Sequence, residues 1–96
     1  MAAVMTREAA ERVALQALAW MAGQPDLLGG FLAASGAGPA DLRGAAKQPE
    51  FLGFVLDHLL AHEDALLAFA AEAGIAPDVP GRARASLPGG DLPNWT

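Results

Sequence analysis

The 96-residue chain is expected to adopt an all-α fold, a compact bundle of about six short helices, on three observations. The first is a recurrence. Residues 23–48 and 61–86 align at a spacing of 38 with seven identities, Asp26/Asp64, Leu28/Leu66, Phe31/Phe69, Ala33/Ala71, Gly36/Gly74, Pro39/Pro77 and Ala45/Ala83. An Ala- and Leu-heavy composition gives roughly three or four by chance. The matching types matter as much as their number, because Phe anchors a core while Gly and Pro set backbone geometry. The second observation is a Gln-Pro-acid helix start, present at Gln24-Pro25-Asp26 and again at Gln48-Pro49-Glu50, a spacing of 24 that competes with the longer recurrence. The third is a glycine stop after three of the apolar runs, at Gly23, Gly36 and Gly74. The 38-residue recurrence suggests two pseudo-symmetric three-helix halves, from about Arg7 to Lys47 and from about Gln48 to Leu87, and the 24-residue match is a helix-start signature that argues no symmetry.

Each element follows from its own signals. Thr6 caps a first helix that carries Glu8 in its first turn and runs to about Ala22. Val13, Ala14, Leu15, Ala17, Leu18, Trp20 and Met21 surround its axis, so it is expected to be buried on all sides. Pro25 and Asp26 open a second helix with an apolar stripe of Leu27, Leu28, Phe31 and Leu32, ending at Gly36. Gly38-Pro39 starts a short third helix through Leu42 and Ala46. The fourth, from Pro49 to Leu60, is apolar nearly all round apart from Asp57 and His58. A break near His62, with Ala61 or His62 as cap, precedes a fifth helix with Glu63 and Asp64 in its first turn, Leu66, Leu67, Phe69 and Ala70 facing inward, and Gly74 at its end. Pro77 opens a last helix, bent early by Pro80 and Gly81, that continues through Arg84 and Leu87. The two fully apolar helices, the first and the fourth, are expected to pack on each other at the centre, with Trp20 and Met21 facing Phe54, Leu59 or their neighbours.

The length allows one domain with a modest core. Residues 6–87 are read as that domain, residues 1–5 as a disordered extension with Met5 an alternative start, and residues 88–96 as a tail. The 53% apolar content is inflated by Ala, and Lys47 is the single lysine, a bias of GC-rich coding. With no cysteine, disulfides, thiolate metal sites and thiol catalysis are all excluded. A net charge of −5 argues against nucleic acid or an anionic membrane as partner. No basic residue lies between Lys47 and Arg82, where six acids do, giving an acidic face that reads as a solvated exterior or as a docking surface for a basic partner. Residues 13–38 hold one charge, Asp26, but Pro25 in the middle, with Gly23, Gly29 and Gly30 nearby, interrupts the run, so a membrane span is not expected. Residues 7–12 carry no net positive charge, so no signal peptide is read and the cytoplasm is the default location.

Ala14-Leu15-Gln16-Ala17-Leu18 with Trp20, Pro25-Asp26 leading to Gly30-Phe31-Leu32 and Gly36, Pro49-Glu50-Phe51-Leu52, Val55-Leu56-Asp57, Glu63-Asp64, Leu67-Ala68-Phe69-Ala70 and Leu87-Pro88-Gly89-Gly90 make up a pattern spanning about Thr6 to Gly90. It resembles a small alphaproteobacterial all-helical family of unknown function. The resemblance implies a compact helical protein of the bacterial cytoplasm and brings no activity, cofactor or catalytic residue.

His58 and His62 are four apart, a spacing that sets two imidazoles on one helical face for a metal, with Asp57, Glu63 and Asp64 as oxygen ligands nearby. Two features weigh against a site. The break near His62 turns that ring away, and Leu59 stands where metalloprotease helices carry Glu. Thr6, Ser35, Ser86 and Thr96 are the only hydroxyl side chains, and Ser35 precedes a helix-ending glycine that offers no oxyanion donors. Gly29-Gly30 and Gly89-Gly90 lack the strand and the Lys-Ser/Thr of a phosphate loop. Neither a cofactor nor catalysis is expected. The reading that remains is a protein-interaction module or homo-oligomer, with Trp20, Met21, Phe54, Leu59 and Trp95 as candidate interface residues. The alternative is a metal-binding enzyme or sensor using His58 and His62. Trp95 and Leu92 are costly to leave in water, so the tail either straps across the domain or docks on another molecule.

Overall fold

A computed structural model describes residues 5–88. Its six α-helices are α1 (Arg7–Met21), α2 (Pro25–Ser35), α3 (Leu42–Ala45), α4 (Pro49–Leu60), α5 (Glu63–Ala73) and α6 (Val79–Ala85), with a 3-10 turn at Pro39–Asp41 leading into α3 and no strand among the described residues. The all-α expectation is met. Residues 1–4 of the extension and most of the tail, with Trp95, lie outside the described residues, whereas Met5 is partly buried and packs against the core, so it is not part of a disordered extension.

Local chemistry sets most helix ends. The Thr6 hydroxyl accepts from the Ala9 amide at 3.0 Å, satisfying one donor that the first turn of α1 would otherwise leave open. Pro25 and Pro49 occupy the first turns of α2 and α4, where a missing N–H costs nothing. Gly36 and Gly74 end α2 and α5 in the left-handed region, at φ 75° and 71°, a conformation open to glycine without a Cβ clash. The last helix departs from expectation at both ends. It begins at Val79, not Pro77, and stops at Ala85. Pro80 falls in its first turn, so it helps start the helix instead of bending it, and its ring is buried.

The core is a triangle of α1, α4 and α6, with α2 and α5 laid on the α1–α4 pair. As expected, α1 and α4 meet at the centre, but Trp20 turns to Phe69 of α5 and Phe54 to Phe31 of α2. What lets α1 and α4 approach is a stripe of small residues on α1, Ala10, Ala14 and Ala17 with Met21, all fully buried at a spacing of three or four. Val55, Leu56 and Leu59 of α4 and Ala83 of α6 belong to the same buried cluster. The expectation that α1 is buried all round is overturned: Leu15 is 44% exposed, and Gln16 and Ala19 face solvent. A helix whose apolar count is mostly Ala can be covered along one stripe only, and α4 with α6 covers that stripe.

Positions 38 apart play matching parts through the first two helices of each half. Phe31 and Phe69 are both buried, as are Met21 and Leu59, and Gly36 and Gly74 cap in the same conformation. The third members differ. None of the four residues of α3 is buried, whereas α6 buries Pro80 and Ala83 at the centre of the domain.

A polar clamp joins α6 to α4. The Arg84 guanidinium donates to both carboxylate oxygens of Asp57, at 2.6 and 3.1 Å, and through Nη1 to the Pro88 carbonyl at 2.8 Å. It lies across Gly53, where a Cβ would sit 2.7 Å from Nη1. Glycine in the interior of α4 is therefore the floor on which this charge rests.

Candidate functional site

The two histidines of the sequence reading are brought together, though not as a regular helix would do it. Helix α4 ends at Leu60, and His62 becomes the residue that caps α5. Its side chain does not cap α5. It folds back so that Nδ1 donates to the His58 carbonyl at 2.8 Å, supplying a partner to the last turn of α4. The expectation that the break turns the ring away is thus corrected, since the two imidazole centroids are 4.5 Å apart. His58 also packs edge-on against Phe31, with centroids 5.4 Å apart. Burial in this apolar contact holds the His58 pKa below its ordinary value, and the neighbouring His62 adds to the effect while the Leu27 backbone pulls the other way. The ring is set up to be neutral.

Metal binding needs converging ligands, and among the described residues no group of three His, Asp or Glu side chains converges. Asp57 is engaged by Arg84, and Nδ1 of His62 is engaged by the backbone. Two imidazoles with one free nitrogen on His62 do not complete a tetrahedral zinc site.

The candidate interface residues separate into three groups. Met21 and Leu59 are completely buried in the core and present no surface. Trp20 and Phe54 lie at the edge of the core. Trp20 is half-buried and stacks obliquely on Phe69 at 5.8 Å, and Phe54 is 37% exposed while resting on Phe31 at 5.7 Å. Trp95 lies outside the described residues. The sequence reading missed Leu15 and Leu67, which are 44% and 46% exposed, because it assigned the first to an enclosed helix and the second to an inward face.

Between α5 and the α1–α2 turn runs a groove made of three adjoining concavities of about 300, 350 and 320 Å³. Trp20 is shared by the first two, and Asp26, Leu27, Asp64 and Ala65 by the second and third, while His58 and His62 close the far end. Asp26 and Asp64 sit in the first turns of α2 and α5, so one of the 38-residue matches puts two carboxylates on facing walls.

Such a fold, with a central helical triangle and an open groove along one side, defines a small compact all-helical domain. The family model described as "Protein of unknown function (DUF3572)" matches residues 7–90, and the chain belongs to that family. No curated protein and no solved structure matches it. Among the described residues, no helix is long and apolar enough to cross a membrane.

Proposed function

We propose that this domain acts by docking to another protein chain, as an interaction module or homo-oligomer without catalysis. The observation that carries the reading is the incomplete cover over its apolar helices: Leu15, Phe54 and Leu67 each leave more than a third of their surface in water. Water-exposed side chains of this size disfavour the isolated state by about 25 cal/mol per Å² of apolar area, a penalty that a partner removes. Phe54 is the most informative of the three, since it extends the Phe31–Phe51 aromatic cluster to the surface.

Solution mass tests the self-association branch. Replacing Phe54 by Asp should leave the domain folded, with a loss of about 1–2 kcal/mol because the ring is partly exposed. If the native protein is a dimer through this face, the variant becomes a monomer. A folded variant with the dimer mass retained refutes the role of Phe54 in that interface.

A further inference from the structure

We propose that the groove between α5 and the α1–α2 turn is a docking site for a basic, amphipathic segment of a partner protein. The inference rests on the reading of the domain as an interaction module and names the surface and the chemistry that it takes. Three observations carry it.

The first is charge. The groove is flanked by Asp26, Asp64 and Glu72, all exposed and none in an ion pair among the described residues, and no Lys or Arg lines it. The N-terminus of a helix ordinarily attracts an anion, but here each of the two N-termini facing the groove already carries its own carboxylate, so the groove presents acid to an incoming chain. The second is its lining. Trp20, Leu27, Ala65 and Ala68 give an apolar bed beside the carboxylates, and the Trp20 indole offers a face for a cationic side chain. Asp64, Ala68 and Glu72 repeat every four residues along α5, a stripe about 12 Å long that matches two turns of an incoming helix. The third is unmet hydrogen bonding. Among the described residues, the Trp20 Nε1 donor is buried without a partner in a residue that lines this groove, whereas the His58 ring is met by the Leu27 backbone. Buried donors are nearly always paired, and one left open at the groove wall can be met by a chain that repacks Trp20.

A second copy of the chain is the weaker occupant. Its Arg84 is held by Asp57, and Arg7 and Arg82 each lie beside an acid four residues away, which leaves Arg12 on α1 and Arg43 and Lys47 on α3 and the turn after it, not one long basic helix face.

The test uses the full chain carrying Trp95→Phe, so that Trp20 is the only indole, and a labelled amphipathic helix of about 12 residues built from Lys and Leu, with a Glu/Leu peptide of the same pattern as comparison. Anisotropy should show binding of the Lys/Leu peptide alone, with a shift in Trp20 emission. The triple variant Asp26→Asn/Asp64→Asn/Glu72→Gln should weaken binding by ~10-fold or more. Glu8→Gln/Glu50→Gln/Glu63→Gln removes the same charge, from helix first turns outside the groove, and should weaken it less than ~3-fold. A single Glu72→Lys, in the last turn of α5 where a cation suits the helix dipole, preserves the fold and should abolish binding. Equal losses in the two triples assign the binding to net charge and overturn the proposal, as does binding of both peptides alike. If the chain proves to have a partner or to dimerise but the groove variants bind the Lys/Leu peptide undiminished, the groove assignment fails while the module reading stands.

Discussion

Substituting Gly53 by Ala should destabilise the native protein yet stabilise it once Arg84 has been removed. Gly53 lies inside α4, where alanine is favoured over glycine by about 1 kcal/mol on helix propensity. In the native protein the new Cβ would stand 2.7 Å from Arg84 Nη1 and 3.0 Å from Cζ. The guanidinium is the end of a flexible side chain and can move aside, so the steric cost is small. The cost lies in what it lets go, the 2.8 Å bond to the Pro88 carbonyl and the paired bonds to Asp57. A hydrogen bond from a charged donor is worth about 1.5–3 kcal/mol when well enclosed. The Asp57 side chain is 47% exposed, so solvent screening reduces its share to about 1 kcal/mol. Loss of both interactions therefore comes to about 2.5–4 kcal/mol, and the net change to a destabilisation of about 1.5–3 kcal/mol. For a domain of this size that lowers Tm by at least about 6 °C. With Arg84→Ala already in place nothing is displaced, and Gly53→Ala should raise Tm by several degrees. Gly29→Ala, exposed in α2 with nothing within 4 Å of its Cβ, is the positive control and should stabilise in either background. Thermal melts of the four members of the cycle decide the matter. A Gly53→Ala change of the same sign with and without Arg84 refutes the clamp.

Three further outcomes are expected. Because the His58 pKa in the folded protein lies below its ordinary value of 6.5, the unfolded chain takes up the proton first. Stability should then fall as pH drops from about 7.5 through 6.5 and level off below the folded pKa, and His58→Gln should flatten that slope in a Tm–pH series. Gly36→Ala and Gly74→Ala should each destabilise by about 1 kcal/mol or more, since both backbones are left-handed, and similar losses in chemical denaturation would show that the two caps are energetically equivalent. The purified protein should carry no stoichiometric transition metal, and about one zinc per chain that disappears in His58→Ala would establish the metal reading instead.

Local chemistry made most of the fold legible. Thr6, Pro25, Pro49, Gly36 and Gly74 each act on the backbone within one turn, so a reader of the sequence can place the helix ends that they set. Sidedness was harder. Residues 13–22 offer apolar side chains in every direction, and only the partners of α1 decide that Ala10, Ala14, Ala17 and Met21 go inside while Leu15 does not. The small-residue stripe was the available signal, because close helix approach calls for it. The Arg84–Asp57 pair joins positions 27 apart on two helices, and no local pattern announces it beyond an unexplained glycine inside α4. The groove was half visible: the match of Asp26 with Asp64 could be read, but not that α2 and α5 present those acids to each other. His58 and His62 were found by spacing, yet their actual arrangement depends on one imidazole reaching back to a carbonyl, which spacing cannot express.

The central claim is that this domain works through contact with another chain, and photo-crosslinking reads it most directly. A photoreactive amino acid placed at position 54, and separately at position 15, would be activated in the cell of origin and the adducts identified by mass spectrometry. A control at Ala40, exposed in the 3-10 turn and far from these side chains in sequence, sets the background. The expected result is one or a few discrete adducts from position 54 or 15, with another protein or with a second copy, and none of them from position 40. Adducts no different from that background at both positions, in a protein that sediments as a monomer, would contradict the claim.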